Sequence, residues 1–347
     1  MPVTALADLV YGAEYTEYSM EKAIELNAFI ASGIAEQNPN LTALAAGQGG
    51  VYLLPFFKQL ANDEANISTD NDATIGTAKK ITTGRQKARL HMYNQIWGSA
   101  DLTTAMIARD PLTAIADQTA QYWATWSEKM MLSTALGVLA DNIANDSGDM
   151  IVNIATNNDA AVTAGNPRDL NDNTLIDAAQ TMGDHKGDLV AIAVHSAVHA
   201  KLQKRGALKD QHDMQTGQLL FQTFQGKRVI IDDLMPVLVE SINDGGGAGN
   251  KNVYVSAVFG AGCFQLGTGS PRVPTEVQRS AKGGNGGGIE ELVERRHPIV
   301  HPMGFEWTEA SVAGASATRA ELATAANWNR VYQRKNIKLA FIKSRLD

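Results

Sequence analysis

Two histidine pairs, one carboxylate pair and a single thiol are the side chains whose spacing invites chemistry. His195 and His199, in "HSAVH", lie four apart, the spacing at which two imidazoles share a helix face and a metal ion. A metalloprotease of that kind keeps a glutamate between them as general base, and none is present. His297 and His301, in "HPIVHP", would share one face of a strand, where packing or hydrogen bonding is the plainer role. Asp232 and Asp233 close "VIIDD", a strand end of the kind where metal-dependent phosphotransferases keep carboxylates. No third carboxylate stands in an obvious partner position, and an Asp-rich turn before Pro236 accounts for the pair as well. Cys263 has no basic neighbour to lower its pKa and reads as a buried structural thiol. "DGGGAGN" (244–250) and "KGGNGGGI" (282–289) lack the lysine and hydroxyl of a phosphate loop, and the second precedes a strand rather than a helix. Both read as flexible connections. A metal-dependent hydrolase built on Asp232, Asp233 and the histidines is therefore kept only as the alternative of another class. The expectation is a protein that is no enzyme and carries no cofactor or metal.

Charge is more informative than chemistry. Residues 79–98, "KKITTGRQKARLHMYNQIWG", hold five bases (Lys79, Lys80, Arg85, Lys87, Arg89) and no acid. Residues 62–72, "NDEANISTDND", hold four acids (Asp63, Glu64, Asp70, Asp72) and no base. Few large apolar residues lie between Asp63 and Leu90, so a two-stranded ribbon made of these arms would be marginal alone and must lean on something. The last 21 residues carry six bases and one acid, which fits either a nucleic-acid contact or a solvated strand face.

The elements that must position these groups sit in a chain of 347 residues, long enough for one large domain or two ordinary ones. A hydrophobic content of 44% and a charged content of 19% are those of a soluble globular protein, and the net charge of −7 disfavours a dedicated nucleic-acid binder. One cysteine allows no internal disulfide, which fits a reducing compartment. The opening "MPVTALADLVYGAEY" lacks the basic and long apolar parts of a signal peptide, and no run approaches the roughly 20 apolar residues of a membrane span.

Residues 19–36 predict an amphipathic helix, ended by "EQNPN" because Pro39 disfavours helix before it. The apolar run 47–60 is interrupted by Pro55 and suits an edge segment. From Asp110 as cap and Pro111 at the first helical position, a long helix is predicted to about Ala140. Residues 141–170 read as a polar linker. Then follow a helix around Leu175–Met182, the strand "DLVAIAV", a short helix capped by Ser196, and strands at 227–233 and 252–259. "EELVERRHPIVHPMGFEW" reads as two strands broken at Pro298 and Pro302. Thr318 and Glu321 form a capping box before "RAELATAA", and the closing segment is strand-like.

In this order the phrases "LPFFKQL", "KKITT", "DLVAIAVHSAVHAKLQK", "GKRVIIDDLMP", "VYVSAVFGAGCFQLG" and "NWNRVYQRKNIKLAF" resemble the major capsid proteins of tailed bacteriophages, over most of the chain. The resemblance implies an α+β protein of the HK97-type fold. Its parts would be an N-terminal arm at 1–44, a peripheral (P) domain segment at 45–61 and an extended E-loop at 62–95. The P domain with its spine helix would continue at 96–150, the axial (A) domain would span 151–287, and P-domain strands with a short helix would return at 288–347. It further implies self-assembly through hexamers and pentamers into an icosahedral shell around packaged double-stranded DNA. That DNA would be held non-specifically on the inner face, in a virion assembled in the host cytoplasm. A separate scaffolding protein, a portal and a decoration protein are the implied partners, with no membrane. Some members cross-link chains through a lysine and an asparagine, but Lys58, Lys79, Lys80 and Lys87 do not match that lysine's context. An encapsulin-like compartment of the same fold is the nearer alternative. On this reading the charged residues of the two arms, Lys79, Lys80, Arg85, Lys87, Arg89, Asp63, Glu64, Asp70 and Asp72, are expected to contact a neighbouring copy.

Overall fold

A single helix and two sheets organise the chain. The computed structural model describes residues 32–46, 50–61, 63–71, 73–107, 111–156, 168–212, 219–243 and 248–346. The predicted helix at 19–36 lies outside these up to residue 31, and its last residues are not helical. They form a turn leading to β1 (Ala35–Gln37). Pro39 then opens α1 (Pro39–Ala46) instead of closing a helix. Asn38 caps it, its Oδ1 accepting from the N–H of Asn40 at 2.9 Å, and proline is well placed where no N–H is needed.

β2 (Val51–Phe57) and β3 (Thr83–Arg89) pair as an antiparallel hairpin, followed by β4 (Tyr93–Ala100) and α2 (Asp101–Ile107). Pro55 sits in β2, which has only β3 as a partner, so its missing N–H can face outward. α3 (Pro111–Asn145) has 35 residues and spans about 52 Å at 1.5 Å per residue. It runs five residues past the expected end because Asp141 and Asn142, read as linker residues, are fully buried within it.

Next come β5 (Ile151–Asn153), α4 (Asp172–Gln180), β6 (Leu189–Val194), α5 (Ser196–Lys204), β7 (Lys209–His212), β8 (Leu219–Phe224), β9 (Lys227–Ile231) and β10 (Val237–Asn243). They are followed by β11 (Ala248–Gly260), β12 (Phe264–Gly269), β13 (Thr275–Ser280), β14 (Ile289–Pro302), β15 (Phe305–Trp307), α6 (Arg319–Leu322), β16 (Trp328–Arg330) and β17 (Leu339–Ser344). The predicted capping box of α6 is present, with Glu321 N–H on Thr318 and the Glu321 carboxylate on the Thr318 N–H, but the helix is only four residues long.

One sheet runs β5-β17-β11-β6-β9-β8-β7, with β10 beside the first half of β11. Its central strands are apolar on both faces. Ala191, Ala193, Val255, Ala257, Phe259, Leu339 and Phe341 share a cluster with Met130, Met131, Ala135, Val138 and Leu139 of α3. Their neighbours Ile192, Val194, Val258, Ala340 and Ile342 turn the other way, onto Leu175 and Ala178 of α4 and Val198 and Leu202 of α5. β17 was expected among the returning strands of the peripheral part. It lies inside this sheet, parallel to β5 and antiparallel to β11, because every one of its six residues is buried.

The second sheet is built on β14, with β12 and β13 along one edge, β4 along the other and β1 parallel to β12. Residues 264–280, expected within the 151–287 lobe, therefore belong here. Of the two breaks expected in this stretch, the one at Pro302 is present, separating β14 from β15, whereas β14 runs through Pro298. Pro298 interrupts nothing, because its carbonyl accepts from the His91 N–H on the side where β4 has already stopped pairing. Its missing N–H faces that same side and no ladder needs it.

Candidate functional site

The charged arms do not pair with each other as a ribbon. β3, the basic arm, pairs with the apolar β2, from Val51↔Arg89 to Phe57↔Thr83. The Lys58 N–H on the Thr82 carbonyl, at 2.8 Å, makes the last rung. Phe56 fixes this register: its ring lies over Gly84, where any Cβ would overlap it, and meets Tyr332 edge-on at 4.7 Å. Residues 59–81 then leave the body with no strand or helix among the described residues. Asn71 makes local contacts here, its Oδ1 accepting from the Ala73 N–H at 3.0 Å and its carbonyl from the Thr74 N–H at 3.1 Å.

The expected contact residues divide into two groups. Lys87 Nζ reaches Glu306 Oε1 at 2.9 Å and Arg89 Nη1 reaches Glu309 Oε1 at 2.6 Å, while Arg89 Nη2 donates to the Ala315 carbonyl at 2.8 Å. These two bases are ion-paired within their own chain, at the root of the hairpin. Sequence could not show it, because Glu306 and Glu309 lie more than 200 positions away. Lys79 pairs with Asp63 at 3.1 Å, with both side chains more than half exposed. Such a surface pair contributes about 0–1 kcal/mol and cannot hold the excursion in place. Lys80, Arg85, Glu64 and Asp70 are exposed and make no ion pair among the described residues. Asp72 lies outside the described residues.

Sequence reading missed the apolar side of the same segment. Leu53, Phe57, Leu60, Ile67, Ile75 and Ile81 are all more than half exposed, Ile67 and Ile75 at 89% and 88%. For Leu60, Ile67, Ile75 and Ile81 the signal is present as lone large apolar residues in a polar strip, each too isolated to form a core, whereas Leu53 and Phe57 belong to the apolar run of β2.

At its root the hairpin is firmly mounted. Gln86 is buried, and its Oε1 accepts from the Gly304 N–H and faces His301 Nε2, both at 3.0 Å. The Met92 N–H donates to Ser316 Oγ at 2.8 Å, and the Tyr93 hydroxyl to the Ala317 carbonyl. Tyr52, Ala88 and Leu90 pack on Leu41, Ala45 and Ile299.

The chemical candidates are not brought together. His195 caps α5, in place of Ser196, with Nδ1 accepting from the Ala197 N–H at 3.1 Å, whereas His199 Nε2 turns to Gln222 Oε1 at 2.7 Å. Asp232 Oδ1 accepts from the Leu234 N–H at 2.8 Å, and Asp233 Oδ1 from the Ser196 N–H at 3.3 Å, both structural tasks at a turn and a helix start. His301 serves Gln86, and burial holds the His297 ring below the usual imidazole range. Cys263 is buried, and burial pushes its thiol far up, away from reactivity. Among the described residues, no three His, Cys, Asp or Glu side chains gather as a metal site. The bases of the last 21 residues are not presented to nucleic acid as a strip. Arg330 binds Asp146 and Asp149, Lys335 binds Asp184, Lys338 binds Asp188 and Lys343 binds Glu240, while Arg345 is fully buried.

The molecule is thus a scaffold whose exposed, self-insufficient part is an excursion. Comparison with known proteins agrees. No family model matches the chain. The major capsid protein of Bacillus phage SPP1 is 34% identical over 348 residues, covering 100% of this chain and 99% of that protein. Two capsid structures share the fold at low identity. The cyanophage Pam1 capsid has a TM-score of 0.60 at 10% identity, over 99% of each chain. The capsid of Ralstonia phage GP4 has a TM-score of 0.61 at 8% identity, over 100% of this chain and 98% of that one. The fold is the HK97-type capsid fold, mixed α and β, and its role is structural: copies of the chain build a capsid. The chain belongs to the family of bacteriophage major capsid proteins.

Proposed function

We propose that residues 58–82 act as the E-loop of this capsid protein and that a neighbouring copy covers them in an icosahedral shell of hexamers and pentamers. The observation that carries this reading is the set of exposed apolar side chains, Leu60, Ile67, Ile75 and Ile81, on a segment without strand or helix among the described residues. Many modest contacts of this kind, repeated around a closed shell, sum to a stable assembly. Lys80 and Arg85, with Glu64 and Asp70, supply charge to the same contact and set its register. Lys87 and Arg89 belong instead to the mount.

The shell encloses packaged double-stranded DNA, held without base recognition. It assembles in the host cytoplasm with a scaffolding protein, a portal and, on the outside, a decoration protein. The relative named as a phage major capsid protein favours this over an encapsulin-like compartment. Electron microscopy of the expressed protein tests the reading, with Ile67, Ile75 and Ile81 changed to Ser in one variant and Lys80 and Arg85 changed to Glu in another. Both variants should melt like the parent as free subunits and fail to form uniform shells. Normal shells from both would overturn the assignment.

A further inference from the structure

Two imidazoles are sealed into the joint where the hairpin meets the body. His91 is 2% exposed and His301 is 1% exposed. The Gly304 N–H identifies the oxygen of the Gln86 amide, so His301 must donate through Nε2 to it. His91 Nδ1 accepts from the Ala317 N–H at 3.3 Å, so that nitrogen carries a lone pair and the ring is neutral. Each ring therefore ties the hairpin side of the joint to the 301–317 side, His91 through a lone pair that only its neutral form has, and His301 through an Nε2–H that protonation keeps while placing a charge in a sealed site.

We propose that this joint is an acid-releasable mount. Proton uptake by His91 and His301 detaches residues 86–93 from residues 301–317, while Tyr52, Ala88 and Leu90 stay packed on Leu41, Ala45 and Ile299 as the pivot. A proton on His91 Nδ1 takes the place of the lone pair that holds the Ala317 N–H and sets two donors against each other. The new charge also stands near Arg89. The other groups facing His91 are Tyr93, stacked at 5.9 Å, and Trp307, edge-on at 5.7 Å. Glu309 is occupied by Arg89, and Glu321 by the N–H groups of Ala313 and Thr318. Around His301 stand Gln86, the Gly304 N–H and Tyr332, whose hydroxyl also bonds Gln86. Lys87 and Glu306 on these two sides neutralise each other. Among the described residues the one histidine within ion-pair distance of a carboxylate is His195, so neither buried ring has a counter-charge ready.

Burial holds both rings at about 4, below the ordinary 6.5, with Arg89 adding to the effect at His91. The closed joint is thus favoured above pH 6.5 and loses that advantage as pH falls from 6.5 towards 4. At pH 4.5 its opening equilibrium should rise on the order of 50-fold for each histidine relative to pH 7. The inference does not depend on what the excursion contacts.

Hydrogen exchange of the full-length free subunit tests it, with labelling times scaled to the intrinsic rate at each pH. The amides of Met92, Gly304 and Ala317 should lose protection between pH 6 and 4.5, while those of β6 and β11 keep theirs. The His91→Gln/His301→Gln pair, which keeps polar atoms but cannot titrate, should hold protection to pH 4.5. Uniform loss across the molecule, or unchanged protection at the joint in the parent protein, overturns the proposal. Should the double variant fail to fold, the parent comparison alone decides.

Discussion

Asp141 is a carboxylate placed where charge is hard to hold. It is fully buried near the end of α3, with Oδ1 bound by Asn145 Nδ2 at 2.7 Å and Oδ2 without a hydrogen-bond partner among the described residues. Burial pushes its carboxyl above the usual range, and Asp146 nearby adds to the rise. The folded state therefore favours the protonated form, and stability at this site is lost as pH rises through that raised pKa. Asp141→Asn should raise Tm at pH 7, by an increment on the order of 1 kcal/mol in stability, and flatten the fall of stability as pH rises past the ordinary carboxylate range. An unchanged Tm-against-pH profile would show that the carboxylate is solvated after all. The surrounding network was not legible in the sequence. Arg330 binds Asp146 at 3.0 Å and Asp149 at 2.7 Å, and Asn142 Nδ2 binds Asp149 at 2.7 Å. Composition shows an Asn- and Asp-rich stretch and a basic end, but not that each neutralises the other.

α3 was legible as an element because its apolar residues recur every three or four positions behind Pro111. What periodicity could not show is how closely it is embraced. Gly137 faces α6 and β16, and a Cβ there would overlap the Leu322 carbonyl and the Trp328 indole nitrogen, which are themselves hydrogen-bonded at 2.7 Å. Gly137→Ala, a favourable change in an ordinary helix, should here cost about 3 kcal/mol, read as a fall in Tm and in soluble yield. A gain in Tm would mean that α6 moves aside freely. The misread elements share one cause. Pro39, Pro55 and Pro298 were each judged by local rules for proline, and Pro55 suited an edge as expected. At Pro39 a helix start needed no N–H, and at Pro298 a neighbouring strand had already ended. The hairpin was misread for a related reason: the acidic and basic arms looked like partners by charge, whereas β3 takes β2 by shape, with Phe56 seated over Gly84.

Across the whole molecule the chain passes three times between its two larger sheets, through α3 between β4 and β5, at 260–263, and between β14 and β17. The order of parts was readable from local phrases, but membership of a sheet was not. β12 and β17 owe their places to partners far away in the chain, β1 for the one and β11 for the other, and β13 follows through its hairpin with β14. The position of β17 has a consequence for synthesis. It fills the slot between β5 and β11, so the larger sheet stays split until residue 344 has cleared the ribosome. A chain stopped at residue 338 would keep the excursion and its apolar side chains yet lack the buried strand between β5 and β11. It should then appear in the insoluble fraction or bound to chaperones, and be absent from shells formed in a co-expression with the full chain. Truncated subunits found in intact shells would refute this. β17 thus works as a check on each copy: a shell with one faulty tile is a leaking shell, and this topology withholds the tile until β17 has been translated.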